Sequence, residues 1–151
     1  MRKEFVMRGQ TASTAGQNTE ILNFSGGKPG YAYRLVEFVI YPSTDIGASV
    51  ADMCASITAG KTASDPQSPD FNDDGLIGNA RYRAHSSDSY PISTVFNIIN
   101  DTFLITQDLI LSVFDNGSSA FPVNWQCKFV SEKMNISEEA VTNYRQFTIF
   151  D

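Results

Sequence analysis

The stretch Asp101–Ile136, DTFLITQDLILSVFDNGSSAFPVNWQCKFVSEKMNI, decides the fold class. In Phe103, Ile105, Leu109, Leu111 and Val113 apolar residues recur at every second position, with Gln107 as the one break. Residues two apart in a strand share a face. Asp115-Asn116-Gly117-Ser118-Ser119 follows, a turn of residues that accept left-handed backbone angles. Past Pro122, the residues Val123, Trp125, Cys127 and Phe129 fall on one face, with Asn124, Gln126 and Lys128 opposite. Alternation of this kind predicts half-buried antiparallel strands, not helices. The expectation is a long hairpin as the spine of the core, with other strands added to it.

Upstream, Lys3 to Met7 predicts a short first strand with Phe5 and Met7 inward. Gly9 to Asn18 holds no large apolar residue, which predicts a surface loop or an extended arm, so that residues 1–18 form a flexible arm. Ile21 to Phe24 is a second strand, and Gly26 to Gly30 a turn. Tyr31 to Tyr41 is a long strand apolar on both faces, either central or covered by another subunit. Val50 to Ile57 suits a strand better than a helix because it is short. Thr62 to Asp74 is a long polar loop with Pro66 and Pro69. Leu76 to Arg83 and Val95 to Ile99 are strands. Ser137 to Gln146 predicts one short C-terminal helix, N-capped by Ser137 with Glu138 and Glu139 in its first turn. Residues 147–151 then form a last strand or a docking tail. Short strands, many turns and 12% aromatic content predict an all-β antiparallel β-sandwich, jelly-roll-like, as a single domain over residues 1–151.

Composition narrows the function. A net charge of −6 and a pI of 4.6 argue against nucleic acid as a direct partner, which needs clustered Lys and Arg. The basic cluster at the start, Arg2, Lys3 and Arg8, is interrupted by Glu4. No apolar run is long enough to span a bilayer. Cys54 and Cys127 make no disulfide framework, and Cys127, in phase with Trp125 and Phe129, reads as a buried thiol. The phase of Trp125 likewise reads as core before sugar platform. Tyr31, Tyr33, Tyr41, Tyr82 and Tyr90 are the surface candidates for a binding or subunit interface.

One metal motif stands out. Asp70-Phe71-Asn72-Asp73-Asp74-Gly75 matches the first half of a calcium loop, with oxygens of Asp70, Asn72 and Asp74 set to converge on a hard cation. The position that should hold a bidentate Glu is Arg81. The competing reading is an acidic turn whose side chains cap local N–H groups. Catalytic signals are almost absent: His85 lies in a Ser-rich stretch near Asp88, and sequence proximity is not a triad. The chain reads as no enzyme, with no small-molecule substrate.

The segments Asn100 to Leu109, Asn124 to Phe129 and Ser137 to Val141, with Tyr33 to Phe38 upstream, resemble small β-rich structural proteins of phages and uncultured marine viruses. That resemblance implies a virion location and a role as a capsid, decoration or spike subunit. Its partners would be further copies of itself and other virion proteins. The alternative is a glycan- or receptor-binding module stabilised by calcium.

Overall fold

The alternating pattern becomes eight strands and, among the described residues, no helix. The computed structural model describes residues 3–12, 18–24, 30–43, 51–60, 62–85, 92–115 and 122–134. The strands are β1 (Lys3–Thr11), β2 (Asn18–Leu22), β3 (Tyr31–Pro42), β4 (Ala51–Ala59), β5 (Leu76–His85), β6 (Ile92–Ile99), β7 (Leu109–Asp115) and β8 (Val123–Lys133). They form two antiparallel sheets: sheet A, in the order β1-β8-β3, and sheet B, in the order β2-β7-β4-β5-β6. The inner faces share one core, with Leu35, Phe38 and Phe129 from sheet A against Met53, Ile57, Leu111 and Val113 from sheet B. The chain is a β-sandwich, as the alternation predicts.

The strand order is that of a long hairpin rolled on itself. β1 pairs with β8, β2 with β7 and β4 with β5, which are three of the four nested pairs of a jelly roll. The fourth, β3 with β6, is replaced: β6 stays beside β5 in sheet B. The free edge of β3 instead meets Ile105, whose N–H donates to Tyr33 O at 2.8 Å while the Tyr33 N–H donates to Ile105 O at 2.9 Å.

This arrangement corrects the expected central hairpin. The first strand begins only at Leu109, with 101–108 outside it apart from the Ile105 bridge, and β7 lies in sheet B and β8 in sheet A, so they face each other across the core and do not pair. Alternation reports which face is buried, and two strands covering one core from opposite sides alternate alike. Gln107 marks the crossing: Ile105 touches sheet A, and Leu109 opens β7 in sheet B.

The expected arm is corrected as well. Lys3–Thr11 is an edge strand in register with β8 from Lys3↔Ser131 to Thr11↔Val123. Phe5 and Met7 pack on the core as expected. Gly9 lies opposite Trp125, and a Cβ there would stand 2.8 Å from Trp125 Cζ2. The absence of a large side chain, read as a loop signal, leaves room for the indole. In β3 a bulge between Leu35 and Glu37 shifts the phase, so Leu35 and Phe38 both face the core. The C-terminal helix over 137–146 and the tail over 147–151 lie outside the described residues.

Candidate functional site

The loop over 62–75 shows what the acidic motif does. It folds back on the outer face of sheet B and is tied there by polar side chains of β4 and β5. The Ser56 hydroxyl donates to Ser64 O at 3.1 Å, the Ser64 N–H donates to Thr58 Oγ1 at 3.2 Å, and Asn79 Nδ2 donates to Pro66 O at 3.2 Å. Ser56, Thr58 and Cys54 are buried beneath it on a face that would otherwise meet water. Within the loop, Asp70 Oδ1 accepts from the Asn72 N–H at 2.9 Å. Asp73 Oδ1 accepts from the Gly75 N–H at 2.9 Å, and its Oδ2 takes the Ser64 hydroxyl at 3.0 Å.

These are the local capping bonds of Asx turns. Asp70, Asn72 and Asp74, the candidate calcium ligands, are all exposed. Among the described residues, no group of three or more His, Cys, Asp or Glu side chains is placed to hold a metal ion. The residue that organises the loop is Asp73. The sequence motif assigns it no ligand role, but Asp-x-Gly at 73–75 is its readable signature.

Both cysteines are free and buried, as the reduced-thiol reading expects. Burial pushes the Cys54 thiol up to about 11 against the opposing pull of Arg81. Burial in the core raises the Cys127 thiol as well. Neither has the lowered pKa of a reactive cysteine. Trp125 is core, and its indole N–H donates to Thr11 Oγ1 at 2.9 Å. His85 ends β5, but its side chain and Asp88 are outside the description.

The tyrosines divide. Tyr33 packs on the core against Phe5 and Phe24, and Tyr82 is also a core neighbour, which corrects their placing at the surface. Tyr31 is half-buried and Tyr90 is outside the described residues. Tyr41 is 62% exposed, with its ring edge-on to Tyr82 at 5.5 Å.

Among the described residues, two surfaces remain open. The first is β6, which ends sheet B. No described strand pairs with its other side. Phe96 and Ile98 are 60% and 51% exposed on one face, and Asn97 between them is exposed on the other, so the strand overhangs the sandwich. Ile98 and Phe71, which is 67% exposed, line one cleft of about 270 Å³.

The second is the outer face of sheet A. Register aligns Arg8, Gln126 and Val39 in one row across its three strands, and Gln10, Asn124 and Tyr41 in the next. The six side chains border a shallow groove of about 520 Å³. Gln10 Nε2 donates to Asn124 Oδ1 at 3.0 Å, which fixes one amide pair across the strands. Among the described residues, neither surface places a nucleophile beside a base.

No family model matches the chain, and no curated protein matches it. Among the described residues, no helix is long and apolar enough to cross a membrane.

Proposed function

We propose that the chain is a viral structural protein, a capsid or capsid-associated (decoration or spike) subunit that acts in the virion by assembling with copies of itself and with other virion proteins. The observation that carries this reading is the contrast between β6 and the other sheet edges. Open strand edges template unwanted pairing, and proteins blunt them with charge, shortness or a cover. β1 carries Lys3, Glu4 and Arg8, β2 is five residues long with Glu20, and the edge of β3 is bridged by Ile105. β6, Ile92–Ile99, carries no charged residue and shows Phe96 and Ile98 to solvent. An uncharged overhanging edge beside an apolar patch supports an edge kept for a partner strand. The jelly-roll-like nesting and the resemblance of residues 93–151 to small virion proteins support the same reading.

The test is native mass by light scattering, with electron microscopy of the same sample. The wild type is expected as a discrete oligomer or particle. Phe96→Asp with Ile98→Asp is expected to reduce it to monomer with an unchanged far-ultraviolet spectrum. A wild type that is monomeric over a wide concentration range counts against the reading.

A second reading, a glycan- or receptor-binding module, is favoured by one observation. Amides, an arginine and an exposed tyrosine are aligned in register on the outer face of sheet A.

A further inference from the structure

We propose that the outer face of sheet A is a binding groove for an acidic saccharide, with Arg8 receiving the sugar carboxylate. The inference deepens the second reading above and is independent of assembly through β6.

The argument begins with alternation. β1, β8 and β3 bury every second residue in the core, so the residues between them must form a continuous outer face. Which side chains stand side by side there is fixed by register: Arg8↔Gln126↔Val39 and Gln10↔Asn124↔Tyr41. Five of the six are neutral and none is acidic.

Primary amides offer donors and acceptors together, which suits hydroxyl groups whose own polarity alternates. Tyr41 offers a ring face with a polar tip, able to lie on the apolar side of a pyranose. The Gln10–Asn124 bond and the Asn124 Nδ2 bond to Pro42 O at 3.5 Å hold the central amide in place before any ligand arrives. Less ordering is then needed on binding.

Arg8 makes the groove selective. One row along the same face stand Val6, Lys128 and Glu37, and Lys128 is already paired with Glu4 at 3.2 Å. Arg8 makes no ion pair with a described residue. It is therefore an unneutralised guanidinium beside a row of amides in a chain of net charge −6. A guanidinium fork matches a carboxylate in two parallel hydrogen bonds, a geometry that an ammonium cannot reproduce. The chemical class that needs hydroxyl partners, an apolar ring face and one carboxylate together is a uronic or sialic acid unit.

The experiment is a titration of the full chain, followed by nuclear magnetic resonance, with 3′-sialyllactose and a digalacturonate, and with lactose as the neutral control. The acidic sugars are expected to bind at least tenfold more tightly than lactose. Arg8→Gln is expected to remove that preference, lowering acidic-sugar affinity about tenfold, with Arg8→Lys intermediate. Tyr41→Ala is expected to weaken acidic and neutral sugars alike. Both side chains are replaced at the surface, and an unchanged amide spectrum away from the groove reports that each of the three variants is folded.

Equal binding of lactose and the acidic sugars, or full acidic-sugar affinity in Arg8→Gln, overturns the acidic-saccharide assignment and leaves the module reading standing. Absence of binding by every sugar overturns both. Tight acidic-sugar binding with shifts confined to residues outside β1, β8 and β3 overturns the placement.

Discussion

The two sheets differ most on the sides that face away from the core. The outer face of sheet B is roofed over β4 and β5 by the 62–75 loop, and Cys54, Ser56 and Thr58 are buried beneath it. Among the described residues the outer face of sheet A has no such cover, and Arg8, Gln10 and Tyr41 are exposed. Polar groups on the roofed side are partnered by the loop backbone, where their loss leaves buried donors or acceptors unmet. Those on the bare side keep their hydration, so removing one has little effect on folding. A β-sandwich can thus use one outer face to add stability and leave the other free for a ligand. The distinction shows in hydrogen-bond partners: Ser56, Asn79 and Arg81 donate to loop carbonyls and Thr58 accepts a loop N–H, while Arg8 and Gln10 on the bare side are exposed.

The sharpest contrast is within one strand. Trp125→Ala removes a core side chain and the partner of Thr11 Oγ1, and is expected to cost about 3–5 kcal/mol. Gln126→Ala, one residue along on the bare face, is expected to stay within about 0.5 kcal/mol. Urea denaturation of both variants checks this, and a comparable loss for Gln126→Ala would mean that the outer face of sheet A is not free.

The next test is on the roof. Asp73→Ala loses the Gly75 cap and the Ser64 hydroxyl contact, for an expected 1–2 kcal/mol, about, against a few tenths for Asp74→Ala. Melting with millimolar calcium separates the two functions of this loop. The capped turn predicts no shift. A rise in wild type that is absent from the Asp70→Ala, Asp74→Ala double variant would establish the ion site that the motif first implied.

The last effect is one of pH, and it is absent at neutral pH. Burial holds the Cys54 thiol at about 11, above its ordinary value of 9.0, so between these values the unfolded chain has lost a proton that the folded chain keeps. By linkage, stability is unaffected below about pH 9 and falls as pH rises from there towards 11. The buried Cys127 thiol adds a fall of the same sign, so Cys54→Ala should lessen the slope in this range and the Cys54→Ala, Cys127→Ala double variant should lessen it further. In the folded wild type at pH 8, alkylation of either cysteine should track global unfolding.

Much of this was legible in the sequence, for stated reasons. Periodicity located the strands, because a half-buried strand must alternate. It placed Phe5, Met7, Trp125 and Phe129 inward, and they are. It could not reveal partners: Leu109 to Val113 and Val123 to Phe129 carry the same alternation whether they pair or face each other across a core. Gly9 carries a loop signal in the sequence because its function is relational, visible only once Trp125 lies opposite. Of the candidate sites, the acidic stretch is legible as a turn whose side chains cap local N–H groups, while the part of Asp73 in tying it to Ser64 depends on a contact that only the folded loop makes. The groove on sheet A was half visible, since Asn124 and Gln126 were read as the outer face of their strand. Its other half comes from β1 and β3, which register alone brings beside them.

The pairing of β1 with β8 sets a time order on the fold. Every residue pair in that ladder, from Lys3↔Ser131 to Thr11↔Val123, spans most of the described chain, and β8 is the middle strand of its sheet. β1 and β3 have no strand neighbour in sheet A until β8 arrives. During synthesis the inner faces of both wait exposed, while β4 and β5 of sheet B are already neighbours in sequence and can close early. Such long-range closure places folding in the milliseconds-to-seconds range of non-local β topologies. The interval before β8 docks is when the chain is most open to pairing with the wrong partner.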